Sequence, residues 1–74
     1  MNKNIFVADS LETAAWTYIA SLYGEANIAG ITEERMNVMY VELSAKNLRL
    51  ICTKVEEVVA DVSWAYTFET YLIA

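Results

Sequence analysis

The order of hydrophobic and polar positions along this chain marks out six elements. Asn4 to Ala8 (N-I-F-V-A) is a short, almost wholly apolar run of the kind that forms a central strand buried on both faces. Asp9-Ser10-Leu11-Glu12 then carries a helix-start signature. Asp9 is placed to cap free backbone N–H groups, and Glu12 follows at the spacing of a capping box. Leu11, Ala14, Ala15, Tyr18, Ile19 and Leu22 recur at helical spacing, and Gly24 supplies the stop. Ala26 to Thr32 reads as a modest strand weakened by Gly30, Glu33-Glu34-Arg35 as a polar turn, and Asn37 to Leu43 as a stronger strand.

The segment from Ser44 to Val62 carries two competing periods. Leu48 to Val55 fits a strand that continues a meander after a Ser44–Asn47 turn. Leu48, Ile51, Cys52, Val55, Val58, Val59 and Val62, however, gather within an arc of about 120° on a helical wheel. Lys46, Arg49, Lys54, Glu56, Glu57 and Asp61 lie outside that arc, and Leu50 is the one misplaced apolar residue. Strand alternation is broken at Leu50-Ile51-Cys52, so the periodicity predicts a helix, at a cost of a few tenths of a kcal/mol per valine (roughly). Ser63 to Ile73 closes the chain as a strand, with Trp64, Tyr66, Phe68 and Leu72 on one face and Ala65, Thr67, Glu69, Tyr71 and Ile73 on the other.

The resulting order is β-α-β-β-α-β. It predicts a single α+β domain spanning residues 1–74, a small ferredoxin-like fold with two helices on one face of a four-stranded antiparallel sheet. If 48–55 is a strand instead, the alternative is β-α-β-β-β.

Composition narrows the chemistry. The chain is 57% hydrophobic, with no histidine, no proline and one cysteine. Cys52 has no disulfide partner within the chain, and carboxylates alone suit only a hard cation in a dedicated loop, which is missing. No metal and no cofactor is expected. A domain this small buries about 60–65% of its unfolded surface, so contact with another chain is an expected source of stability. The first residues lack a secretory apolar core, no run approaches the length of a membrane span, and an unpaired thiol fits a reducing compartment. The expected location is cytoplasmic.

The net charge is −5, and its distribution is uneven. No base follows Lys54, whereas Glu56, Glu57, Asp61 and Glu69 do. That anionic stretch repels phosphate backbones and attracts basic protein surfaces, which argues against direct nucleic-acid binding. The alternating Trp64, Tyr66 and Phe68 could stack bases, but they lack a basic frame and read first as core. Trp16 and Tyr23 lie one step off the apolar stripe of the first helix, where partly exposed aromatics serve either as interface anchors or as peripheral packing. Cys52 has no histidine to activate it and reads as a buried structural residue. Glu33-Glu34 and Glu56-Glu57 are adjacent acids whose side chains diverge, so they read as solvated charge rather than an acid–base pair. An enzyme is not expected.

The stretch I-F-V-A-D-S-L-E-T-A-A-W-T-Y-I-A-S-L-Y-G, from Ile5 to Gly24, resembles the opening of small phage proteins. With its length and acidity, the chain looks like the phage-encoded inhibitors of host machinery, anti-CRISPR proteins among them. That resemblance implies a non-catalytic inhibitor that occupies a nucleic-acid-binding or assembly surface of a host complex. It transfers no functional residue. From the residues themselves, the expected partner-binding set is Trp16, Tyr23, Glu56, Glu57, Asp61 and Glu69, facing a basic protein surface. The alternative is a self-associating domain, possible as a homodimer, with a ligand or partner bound between subunits.

Overall fold

The computed structural model describes residues 4–58 and 63–73. In chain order these form β1 (Ile5–Ala8), α1 (Leu11–Tyr23), a short 3-10 turn (Glu25–Asn27), β2 (Ile28–Arg35), β3 (Val38–Leu43), β4 (Asn47–Val58) and β5 (Ser63–Ile73). The strands make one antiparallel sheet in the order β1-β5-β4-β3-β2, and α1 packs on one of its faces. The ferredoxin-like expectation of two helices on four strands is therefore overturned: among the described residues there is one α-helix on five strands. The β-α-β-β-β alternative is closer but one strand short. Residues 59–62, the end of the expected second helix, lie outside the described residues.

The reason lies in β4. As the central strand it needs apolar side chains that alternate, and Leu48, Leu50 and Cys52 supply them, all buried under α1. Leu50, the residue that fitted no helical arc, is fully buried. A register shift between Cys52 and Lys54 then inserts one residue. Beyond it Val55 opposes Tyr66 and Glu57 opposes Trp64, so odd-numbered residues take over the helix side. A strand whose phase changes midway loses its period of two, and the mixed pattern imitates a helix.

Two boundaries also differ from expectation. Ser10, not Asp9, caps α1: its Oγ accepts the Thr13 N–H at 3.2 Å, and Gly24, at φ 89°, ends the helix with its N–H on the Ala20 carbonyl. Glu33–Arg35 is not a turn but the end of β2; the hairpin turns at Met36-Asn37, where Asn37 takes a φ of 63° that asparagine tolerates. β1 is an edge strand rather than a central one, and Val7 is 60% exposed.

The core joins Ala14, Ala15, Tyr18 and Ile19 of α1 to Met39, Val41 and Leu43 of β3, Leu48, Leu50 and Cys52 of β4, and Tyr66 and Phe68 of β5. Tyr18 sits at its centre, stacked on Phe68 with centroids 5.2 Å apart and tilted against Phe6 at 5.4 Å. Removing the fully buried Phe68 ring should cost about 3–5 kcal/mol.

The described backbone bonds also fix which way each strand's amides point. Phe68 N–H donates to Asn4 O at 3.0 Å, so Phe68, Tyr66 and Trp64 bond to β1, and Thr67, Ala65 and Ser63 bond to β4. Lys54, Glu56 and Val58 consequently turn toward β5, and Val55 and Glu57 turn away from it. No described strand lies on that side, because β3 stops opposite Ile51. Val55→Pro should therefore cost less than about 1 kcal/mol and keep cooperative unfolding, whereas Glu56→Pro breaks a ladder bond and should cost about 1–3 kcal/mol. Chemical denaturation of the two variants checks the order; a helix here would make Val55→Pro the ruinous one.

Burial pushes the phenols of Tyr18 and Tyr66 above their ordinary value of 10.0, and the thiol of Cys52 above 9.0. A raised folded value stabilises the protein fully below the ordinary value and is lost as pH rises through the folded one. Thermal melts should accordingly show a stability that falls as pH climbs past about 9–10.

Candidate functional site

α1 buries Ala14, Ala15, Tyr18 and Ile19, which turns Trp16 toward the β2 side of the sheet. There the helix and the sheet edge leave a groove of about 740 Å³. Its apolar lining comes from Leu11 and Trp16 of α1, Ile31 of β2 and Met39 of β3. Ile31 stands opposite Val41, and Glu33 opposite Met39, so both β2 side chains share the helix side with the core.

The polar lining is largely self-satisfied. Ser10 Oγ–H donates to Thr13 Oγ1 at 3.0 Å, and Thr17 Oγ1–H donates to the Thr13 carbonyl at 2.8 Å. Among the described residues the ionisable lining is Glu12 and Glu33, both carboxylates, and no base joins them. An apolar floor with an anionic rim suits an apolar group carried beside a cation.

The expected partner-binding residues are dispersed. Trp16, 39% exposed, lines the groove. Tyr23 lies half-buried at the other end of α1 with the Lys46 ammonium 5.1 Å from its ring centre. Asn27 Nδ2–H donates to the Tyr23 carbonyl at 2.6 Å and Ser44 Oγ–H donates to Asn27 Oδ1 at 3.2 Å, so Tyr23 belongs to a clamp between the helix end and the β3–β4 turn. Glu56 and Glu57 sit on the projecting end of β4 and point to opposite faces; Glu56 faces Lys54 across 3.6 Å in an exposed pair of little energetic weight. Glu69 stands opposite Ile51 on the face away from α1 and accepts a hydrogen bond from the Tyr71 hydroxyl, which raises the Tyr71 phenol's pKa. Asp61 lies outside the described residues.

Sequence reasoning singled out Trp16 but missed Leu11, Ile31, Met39, Glu12 and Glu33 as its neighbours. Ending the second strand at Thr32 hid the fact that Ile31 and Glu33 are i and i+2 on one face. The face opposite α1 carries the Glu34–Arg49 bridge at 3.1 Å, together with Tyr40, Ile51 and Tyr71. It is a sheet face of mixed charge on which Val38 is buried and Tyr40, Arg49 and Ile51 are partly buried. Tyr66 and Phe68 are core, as expected for that strand, while Trp64 remains 39% exposed. Cys52 is buried, on a strand rather than a helix.

Among the described residues, no three acidic or thiol side chains gather around a point that could hold a metal ion, and no helix is long and apolar enough to cross a membrane. No family model, no curated protein and no solved structure matches the chain.

Cys52 gives a direct check on its burial. At pH 8 its alkylation by iodoacetamide should run at least about a hundredfold slower than in the denatured chain, because the raised pKa and the core both withhold the thiolate. Rapid labelling of the native protein would contradict the packing of β4 under α1.

Proposed function

We propose that this chain is a non-catalytic acidic protein-binding module, an inhibitor that occupies a basic nucleic-acid-binding or assembly surface of a host protein complex. The observation that carries the reading is the groove beside β2: an exposed tryptophan and an apolar floor, with Glu12 and Glu33 as the only charged groups among its described lining residues. The net charge of −5 supports a cationic protein partner over nucleic acid or an anionic membrane. The likeness of Ile5–Gly24 to the opening of small phage proteins, taken with the chain's length and acidity, supports the inhibitory role of phage-encoded inhibitors, anti-CRISPR proteins among them, and the unpaired Cys52 supports a cytoplasmic site of action. No cofactor takes part. Self-association is the second reading, supported by the edge strand β1 with its exposed Val7; a scattering mass at micromolar concentration that stays at 8.4 kDa removes it.

The test begins with capture of a partner from the native host and an assay of that partner's activity with and without the chain. Inhibition supports the reading; unimpaired activity at saturation overturns it. Kinetics then apportion the contact. Lysine at both Glu56 and Glu57 should slow association and flatten its salt response, because exposed charges act mainly on encounter. Trp16→Ala should speed dissociation by about 30-fold, the equivalent of a 2 kcal/mol anchor. Unchanged association at low salt removes the steering role of Glu56 and Glu57, and unchanged dissociation removes the anchor.

A further inference from the structure

The edge of β2 has a definite polarity. Cys52 N–H donates to Asn37 O at 2.8 Å and Leu43 N–H to Lys46 O at 2.9 Å, which commits alternate residues of β3 (Met39, Val41 and Leu43) to β4. Val38, Tyr40 and Glu42 are left to bond β2, through Arg35, Thr32 and Gly30. Between these, Ile31 and Glu33 direct their N–H and C=O groups outward, where the sheet order places no strand. The same two residues send their side chains into the groove. Their spacing along the strand is about 6.6 Å, two residues of rise.

We infer that β2 accepts an extended segment of a partner protein as a sixth strand, hydrogen-bonded to the backbone of Ile31 and Glu33. One apolar side chain of that segment enters the groove against Leu11, Trp16, Ile31 and Met39, and a lysine or arginine two residues along meets Glu33 and Glu12. The inference rests on the acidic-module reading and specifies how the partner engages it. Backbone pairing supplies affinity without regard to sequence, and the groove selects the side chains. Charge decides the occupant: among the described residues the helix side of this seam holds two carboxylates and no base. A second copy of the chain would bring its own Glu12 and Glu33 to the seam and leave all four unpaired. The two register shifts of β2, between Ile28 and Gly30 and between Glu33 and Arg35, confine a regular ladder to the span of the groove.

The experiment uses the whole chain and ten-residue synthetic peptides that carry leucine or phenylalanine and, two residues along, lysine or arginine, with threonine elsewhere. Peptide binding should protect the Ile31 and Glu33 amides from exchange and leave the Thr32 amide, already inside the sheet, unchanged. Glu33→Gln should weaken binding a few-fold through lost charge. Glu33→Pro removes the same charge and also the outward N–H, which takes no part in the β2–β3 ladder; it should fold and bind about tenfold more weakly than Glu33→Gln. Equal affinity of the two variants, or peptide binding without new protection at Ile31 and Glu33, overturns strand addition. In that event an acid-dependent, Trp16-dependent interaction with the captured partner would leave the acidic-module reading standing. Failure of every basic peptide to bind overturns strand addition, as does a free protein already dimeric with these amides protected. Loss of the acidic-module reading is signalled separately, by a partner whose activity the chain does not change.

Discussion

Among the described residues one helix of 13 residues has to cover a five-stranded sheet, and most of this structure follows from that shortfall. The helix is about 20 Å long and 10 Å wide, and five strands spread over about 20 Å or more. It cannot shield the whole face. Tyr18 resolves where the cover goes, because its stack on Phe68 and its contact with Phe6 hold α1 over the middle of the sheet. Ile19 on its underside closes against Leu50 and Val41 of the sheet, all three with no exposure. What the helix does not reach becomes the groove at β2, and Trp16 is the residue that leans over that gap.

The same constraint separates structural aromatics from available ones. Tyr66 and Phe68 are spent in the core, and Tyr23 is held by Lys46, Asn27 and the turn around Ser44. Among the described residues no comparable polar clamp holds Trp16, which lies beside the edge strand β2. Acidity is equally partitioned. Glu34 is engaged by Arg49 and Glu69 by Tyr71, whereas Glu12 and Glu33 face the groove. The local surface around Trp16 is thus more anionic than the mean composition implies.

Much of this was legible in the residues. The first helix, the hairpin strand around Val38–Leu43 and the aromatic strand Ser63–Ile73 follow from their periods, and the buried state of Cys52 followed from elimination. β4 was not legible because a one-residue register shift inverts its phase at Cys52–Lys54, and because helical and strand periods share most of the same apolar positions there. The misfit of Leu50 was the available clue, and seven well-placed residues outvoted it. Trp16 could be found from the wheel alone. Its neighbours could not, since Ile31 and Glu33 line the groove only once β2 continues to Arg35 and the turn moves to Met36-Asn37.

The shifted registers at both ends of β2 carry a consequence for how copies of the chain behave when crowded together. A fibril needs a long, flat, repeating template that each arriving molecule renews for the next. At the β2 edge the regular open stretch is two residues long, is bounded by a register shift on either side, and carries Glu33 with Glu34 close behind. A second copy pairing edge to edge there would bury both β2 edges and leave growth only to the opposite edge strand, β1. The β2 edge, which could otherwise seed precipitation, is held to short pairings by its length and its carboxylates.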